Sequence, residues 1–204
     1  MLILTFIATV TALCKTTFGA ATTLNSTISP SPDIVPISIV ASMAAIQLPG
    51  LGGDTRIFYQ VPDGSIWIAA STGPFSIGTF YANNILVPAG QAELGTPLAV
   101  TSIGDVDYQE IHLFFISPSS ILSEWIFQGG VGWRGPGGLA CSDCINNQNF
   151  VVQSGRVPFY AMLNTNADSP ATLRVGFISS GAPTGLTEAD FDPVHGWRLG
   201  QLNS

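Results

Sequence analysis

Arg174 and Glu188 stand 14 residues apart around a turn-forming stretch, Gly181-Ala182-Pro183-Thr184-Gly185, and Trp197 follows Glu188 by nine. His112 and Glu124 stand 12 apart around the shorter stretch Ser117-Pro118-Ser119-Ser120, and Trp133 again follows the glutamate by nine. Both tryptophans sit in Gly-Trp-Arg, at Gly132-Trp133-Arg134 and Gly196-Trp197-Arg198. On a hairpin, a basic residue early in one strand and a carboxylate at the matching place on the next fall side by side on one face. A guanidinium donates two parallel hydrogen bonds and a carboxylate accepts two, which suits vicinal sugar hydroxyls, while an aromatic plate packs on the apolar face of the ring. The plainer alternatives are a surface ion pair worth about 0–1 kcal/mol and a tryptophan buried for packing alone. Packing does not require a carboxylate nine residues before each tryptophan, so the recurrence favours a sugar site.

The elements that would hold these residues repeat. Arg56 to Gln60, His112 to Ile116 and Arg174 to Ile178 align as alternating strands whose first residues are 56 and 62 positions apart. Each is followed by a Pro- or Gly-containing turn and a second strand, at Ser65 to Ala69, Ile121 to Ile126 and Leu186 to Phe191. Each is preceded by an apolar segment, at Ser38 to Leu48, Pro97 to Ile103 and Val157 to Leu163. No long segment has the i, i+3, i+4 spacing of an amphipathic helix. The expectation is an all-β chain of about three β-propeller-like blades, each of four antiparallel strands, forming a partial propeller.

At these residues the chain resembles the fungal fucose-specific lectin family, six-bladed β-propellers whose blades carry a pattern like I-R-x-Y-Y-Q, then I-x-E, then G-W. The resemblance runs from about Ser38 to Leu202. It implies fucose pockets between neighbouring blades, built from Arg, Glu and aromatic residues, with no metal, cofactor or catalysis. Arg174, Glu188 and Trp197 match the full pattern. His112, Glu124 and Trp133 match with His in place of Arg, which loses the guanidinium fork and would make binding titrate near the ordinary His value of about 6.5. The first unit keeps Arg56 but has Ile68 where the Glu would stand and Ile77 where the Trp would stand. The implied partner is a fucosylated glycan or another carbohydrate. Three units are half of a six-bladed ring, which a homodimer could complete.

Composition bounds the rest. Six Lys and Arg against 13 Asp and Glu, a net charge of -7, argue against nucleic acid and anionic membranes as partners. The apolar run Leu2 to Leu13, followed by small residues to Ala21, has the length of a signal-peptide core and is too short for a span of about 20 residues. Residues 1–20 read as a signal peptide, 21–37 as a Ser/Thr/Pro-rich leader with a glycosylation sequon at Asn25, and 38–204 as the lectin-like domain of a secreted protein. No basic residue precedes the apolar run, so a buried N-terminal strand is the alternative reading. Cleavage would remove Cys14 and leave Cys141 and Cys144 as a CxxC pair. Zinc would need two more ligands, which only His112 and His195 could supply, at unsuitable spacing, so a local disulfide is expected. A glycoside hydrolase would need two carboxylates about 5–10 Å apart, and each repeat offers one well-placed Glu, with Asp190 and Asp192 read as turn acids. The erosion of the first unit keeps a propeller scaffold without sugar binding as a further alternative.

Overall fold

The computed structural model describes residues 37–202 apart from 39, 41, 50–51, 105–106, 137–140, 156–157 and 165–171. The signal sequence, the Asn25 sequon and the leader up to residue 36 lie outside the described residues. Among the described residues twelve strands form three four-stranded antiparallel sheets, and the fold is all-β, as the repeat pattern anticipates. The first sheet is β1 (Met43–Gln47), β2 (Thr55–Gln60), β3 (Ile66–Ser71) and β4 (Phe80–Val87). The second is β5 (Ala99–Ile103), β6 (Glu110–Ile116), β7 (Leu122–Gln128) and β8 (Gly132–Arg134), and the third is β9 (Tyr160–Asn164), β10 (Thr172–Phe177), β11 (Thr187–Asp192) and β12 (Gly196–Gln201). In each sheet the strands are paired in chain order, so every blade is a simple meander. The entering strands lie side by side, β5 packing against both β1 and β9, and the three blades follow one another about that row.

The hairpins close where the sequence places its turn residues. Gly64 takes φ 88°, a conformation that costs a side-chain-bearing residue energy, while the Asp63 carboxylate accepts from the Ser65 amide at 2.8 Å and its hydroxyl at 2.6 Å. In the first blade the turn between β3 and β4 is longer than in the others, and the register slips between Ala70 and Ser71. Ile77 therefore does not take the tryptophan position. It lies in the turn at 84% exposure, and Phe80 pairs with Ser71 as Trp133 pairs with Phe127 and Trp197 with Phe191.

Cohesion comes from packing between blades. Phe58 and Ile66 of the first blade are buried with Leu113, Phe115 and Trp125 of the second. Phe114, Ile116 and Leu122 of the second are buried with Leu173, Val175 and Phe177 of the third. Fully burying each such side chain contributes about 1.5–3 kcal/mol. At one register position the third blade departs from the others. Ala44 faces Phe58 and Ala99 faces Phe114, but Tyr160 faces Gly176. A β-carbon on Gly176 would collide with the Tyr160 ring, so the large residue has moved from the second strand to the first and the small one has moved the other way.

This exchange predicts a specific non-additivity. Gly176→Phe alone should destabilise by about 1–3 kcal/mol through overpacking, and adding Tyr160→Ala should recover most of that loss in denaturant melts of the double variant.

Candidate functional site

Strand register determines which side chains can meet. Arg174 pairs with Asp190 and Gly176 with Glu188, so Arg174 and Glu188 are diagonal neighbours on one face, with Nε donating to Oε1 at 2.7 Å. His112 and Glu124 have the same diagonal relation in the second blade, and Nδ1 lies 2.7 Å from Oε1. In the first blade Ile68 holds the diagonal place beside Arg56. Trp197 pairs with Phe191, itself opposite Leu173, and Trp133 pairs with Phe127, itself opposite Ile111. Because alternate residues point to opposite faces, each tryptophan lies on the face away from its own blade's basic residue and glutamate.

The structure therefore regroups the residues that the sequence joined. Trp133 lines a cavity with Arg56 of the preceding blade, and Trp197 lines one with His112 and Glu124. Arg174 and Glu188 line a third pocket in which Trp197 has no part. Each tryptophan also meets the phenylalanine of the preceding blade edge-on, Trp133 with Phe58 at 6.0 Å and Trp197 with Phe114 at 6.4 Å. The packing role and the pocket role are thus held by the same ring.

The three pockets differ in chemistry. The first, about 350 Å³, is lined by the apolar Ile68, Ala70, Ile111 and Phe127 and by the polar Asp54, Arg56 and Tyr81. Asp54, which precedes β2, supplies the carboxylate that Ile68 lacks. It pairs with Nη1 of Arg56, and both its oxygens accept from the Tyr81 hydroxyl, at 2.8 and 2.7 Å. The Arg56 guanidinium lies 5.2 Å from the Tyr81 ring centre and 4.9 Å from that of Tyr108.

The second pocket, about 130 Å³, is bordered by Asp143 of the segment after β8. Cys141 and Cys144 are joined by a disulfide, and a 3-10 turn (Ile145–Gln148) follows. The Ile145 amide donates to Oε2 of Glu124 at 3.1 Å, and Glu124 is fully buried. Trp197 donates its indole N–H to the Asp143 carbonyl at 2.9 Å. Nε2 of His112 lies 3.3 Å from Glu110, so both ring nitrogens face carboxylates. Burial opposes the imidazolium, but the hydrogen bonds and charges of Glu110 and Glu124 outweigh it and raise the His112 pKa from 6.5 to about 9. The titration expected near 6.5 is displaced upward, because the sequence does not reveal that two carboxylates flank one ring. The same contact holds the Glu110 carboxyl below its ordinary range.

The third pocket is about 200 Å³. Glu188 accepts from Arg174 on one oxygen and from the Tyr160 hydroxyl, at 2.9 Å, on the other. Its side chain is 23% exposed and that of Arg174 is 46% exposed. Burial and the contact with Glu188 push the Tyr160 hydroxyl up. Asp54, Tyr81, Tyr108 and Glu110 escape the repeat comparison because they lie outside the segments compared, and Tyr160 lies in an entering segment read only for its apolar character. The shared spacing of Asp54 to Arg56 and of Glu110 to His112, two residues apart at a strand's start, carried a signal that could have been read.

No family model and no curated protein sequence matches the chain. Solved structures do. A lectin of Aleuria aurantia, described as a six-bladed β-propeller with a novel fucose recognition mode, matches at TM-score 0.65 and 20% identity over 84% of this chain and 52% of its own. AofleA from Arthrobotrys oligospora matches at TM-score 0.63 and 20% identity over 83% and 44%. The fold is that of three propeller blades. The chain spans about half the length of these two proteins. A fucose lectin from Kordia zhangzhouensis, solved with methyl-fucoside, is covered over its whole length at TM-score 0.53 and 16% identity.

The environment of His112 predicts the sign of a pH effect. A folded-state pKa above the unfolded one gives stability that is full below about pH 6.5 and is lost as pH rises through about 9. The imidazole resonance of His112 should titrate near 9, and the melting temperature should fall across that window. A midpoint at or below 6.5 would contradict the clamp.

Proposed function

We propose that the chain is a secreted lectin that binds neutral sugars, in particular L-fucose-containing glycans, in its blade pockets. The observation that supports this most is the repeated diagonal of a basic residue and a glutamate on adjacent strands, at Arg174 with Glu188 and at His112 with Glu124. Solved proteins of like fold that are described as recognising fucose or bound to methyl-fucoside support the choice of ligand. Arg174 and Glu188 form the leading site, since both are exposed enough to meet a solute. At the second pocket Glu124 and His112 are both buried, and a sugar would meet Glu110 and Trp197 instead.

The reading is of binding without turnover. A glycosidase acid needs a carboxyl held above its ordinary range, and the contact with His112 moves Glu110 the other way. Asp190 and Asp192 beside Glu188 are tied to Arg198 at 2.7 and 2.8 Å, which supports a structural role for them.

The proposal extends to assembly. The face of the first blade that corresponds to the tryptophan-bearing faces of the others carries Met43, Phe80 and Ile85 at 58%, 51% and 55% exposure. Arg174 and Glu188 lie on the complementary face of the third blade. A second copy would bring these two faces together as the blades already do within one chain, and closed two-fold dimers are the commonest oligomers.

Titration of fucose tests the sugar site. Glu188→Ala should weaken binding by about 1.5–3 kcal/mol, the contribution of a hydrogen bond to a charged group. Unchanged affinity would return the pair to a surface ion pair. Extracellular protein should begin after Gly19 or Ala21 on N-terminal sequencing, and light scattering across a dilution series should show mass falling by half if two copies associate.

A further inference from the structure

We propose that the cavity between the first and second blades selects a neutral O-methylated pyranose over the same sugar with its hydroxyl free. This rests on the reading that the chain binds sugars, and it assigns that cavity a preference different from that of the Arg174 pocket. Ile68 occupies the place that Glu124 and Glu188 hold in the other blades, diagonal to the basic residue across the same strand pair. Its side chain lines the cavity together with Ala70 and Trp133. A glutamate there accepts from ligand hydroxyls, and isoleucine accepts nothing. A hydroxyl buried against Ile68 would lose water and gain no partner. An ether oxygen strands no donor, and its methyl group gains apolar contact.

The cavity also has room for the methyl group. It measures about 350 Å³ against about 130 and 200 Å³ for the other two, and Ala70 stands where the second blade has Ile126. Polar recognition is retained by Arg56, which pairs with Ala70 on the same face, and by its neighbours. Asp54, oriented by Tyr81 and Arg56, can accept from the remaining hydroxyls, and Asn84 adds an amide. The same residues exclude charged ligands. The Arg56 guanidinium already occupies the space by the Tyr81 and Tyr108 rings that an ammonium group would take, and two carboxylates, Asp54 and Asp107, repel an acidic sugar.

The test uses the full chain and the indole N–H signal of Trp133, assigned by its loss in Trp133→Phe. Methyl α-L-fucoside and its mono-O-methyl derivatives are titrated in parallel. One O-methyl isomer should move the Trp133 signal at a concentration about ten-fold lower than the parent sugar, the discrimination expected of one methyl group in an apolar pocket. Ile68→Glu should reverse that order, Ile68→Gln should move it the same way if the charged variant folds poorly, and Glu188→Gln should leave it unchanged. Equal response to methylated and free sugars, or an order unaffected by Ile68→Glu and Ile68→Gln, would overturn the inference. A silent Trp133 signal with binding intact at the Arg174 pocket would overturn it and leave the lectin reading standing. Absence of binding at every pocket would remove both.

Discussion

The two-residue period of a β-strand is the constraint from which the sites follow. It sends the basic residue and the glutamate of the second and third blades to one face and the tryptophan to the other. A single blade can therefore never assemble all three, and a tryptophan joins a basic residue only where two blades meet, while the Arg174 pocket is built within one blade. The force that brings blades together is the burial of Phe58 and Phe114 against the next sheet, and the tryptophan that walls each of the two inter-blade pockets is also the ring those phenylalanines meet. Packing and recognition are thus inseparable here. A change that loosens the phenylalanine contact also displaces a pocket wall.

The three blades meet the same demand, a carboxylate beside a cation, in three ways. The third uses a guanidinium and an exposed glutamate steadied by Tyr160. The second uses an imidazole between two carboxylates, which keeps its proton to about pH 9 at the cost of burying Glu124. The first moves the carboxylate from the hairpin partner to Asp54 on the basic residue's own strand approach, which releases the partner position for Ile68. Removing one member of the buried pair in the second blade would leave an uncompensated charge, whereas the exposed pair in the third is screened by water. The exposed pair is the one with freedom to exchange its contacts for a solute's.

The blade order, the hairpins and the diagonal pairs were legible because alternation and turn residues act locally. Arg174 with Glu188 and His112 with Glu124 could be paired from their spacing around a turn, and the register agrees. The grouping of each tryptophan with its own glutamate was not legible from the constant offset of nine alone. An odd offset across a hairpin that pairs Phe191 with Trp197 places Trp197 on the other face, but the pairing must be known before the parity can be read. Ile77 failed for a related reason: a longer turn and a slipped register moved the equivalent position to Phe80. Asp54 and Glu110 hold the same place in two blades, each two residues before the basic residue it contacts, and they were missed because the compared segments begin at Arg56 and His112.

The segment Cys141 to Gln148 shows how a departure from the repeat can be used. β8 stops at Arg134, so the backbone of Glu124 has no strand to pair with on that side. Asn146 takes the strand's place, its side-chain carbonyl accepting from the Glu124 amide at 2.6 Å and its amide donating to the Glu124 carbonyl at 3.1 Å. A side-chain amide has the same donor and acceptor as a peptide unit and can continue a ladder for one residue. The adjoining Ile145 amide then reaches the Glu124 carboxylate, and the Asp143 carbonyl reaches Trp197 of the next blade. The disulfide between Cys141 and Cys144 reduces the conformations open to this segment before it docks. One short loop thereby completes the edge of one blade, donates a hydrogen bond to its buried acid and fixes the aromatic wall contributed by the next.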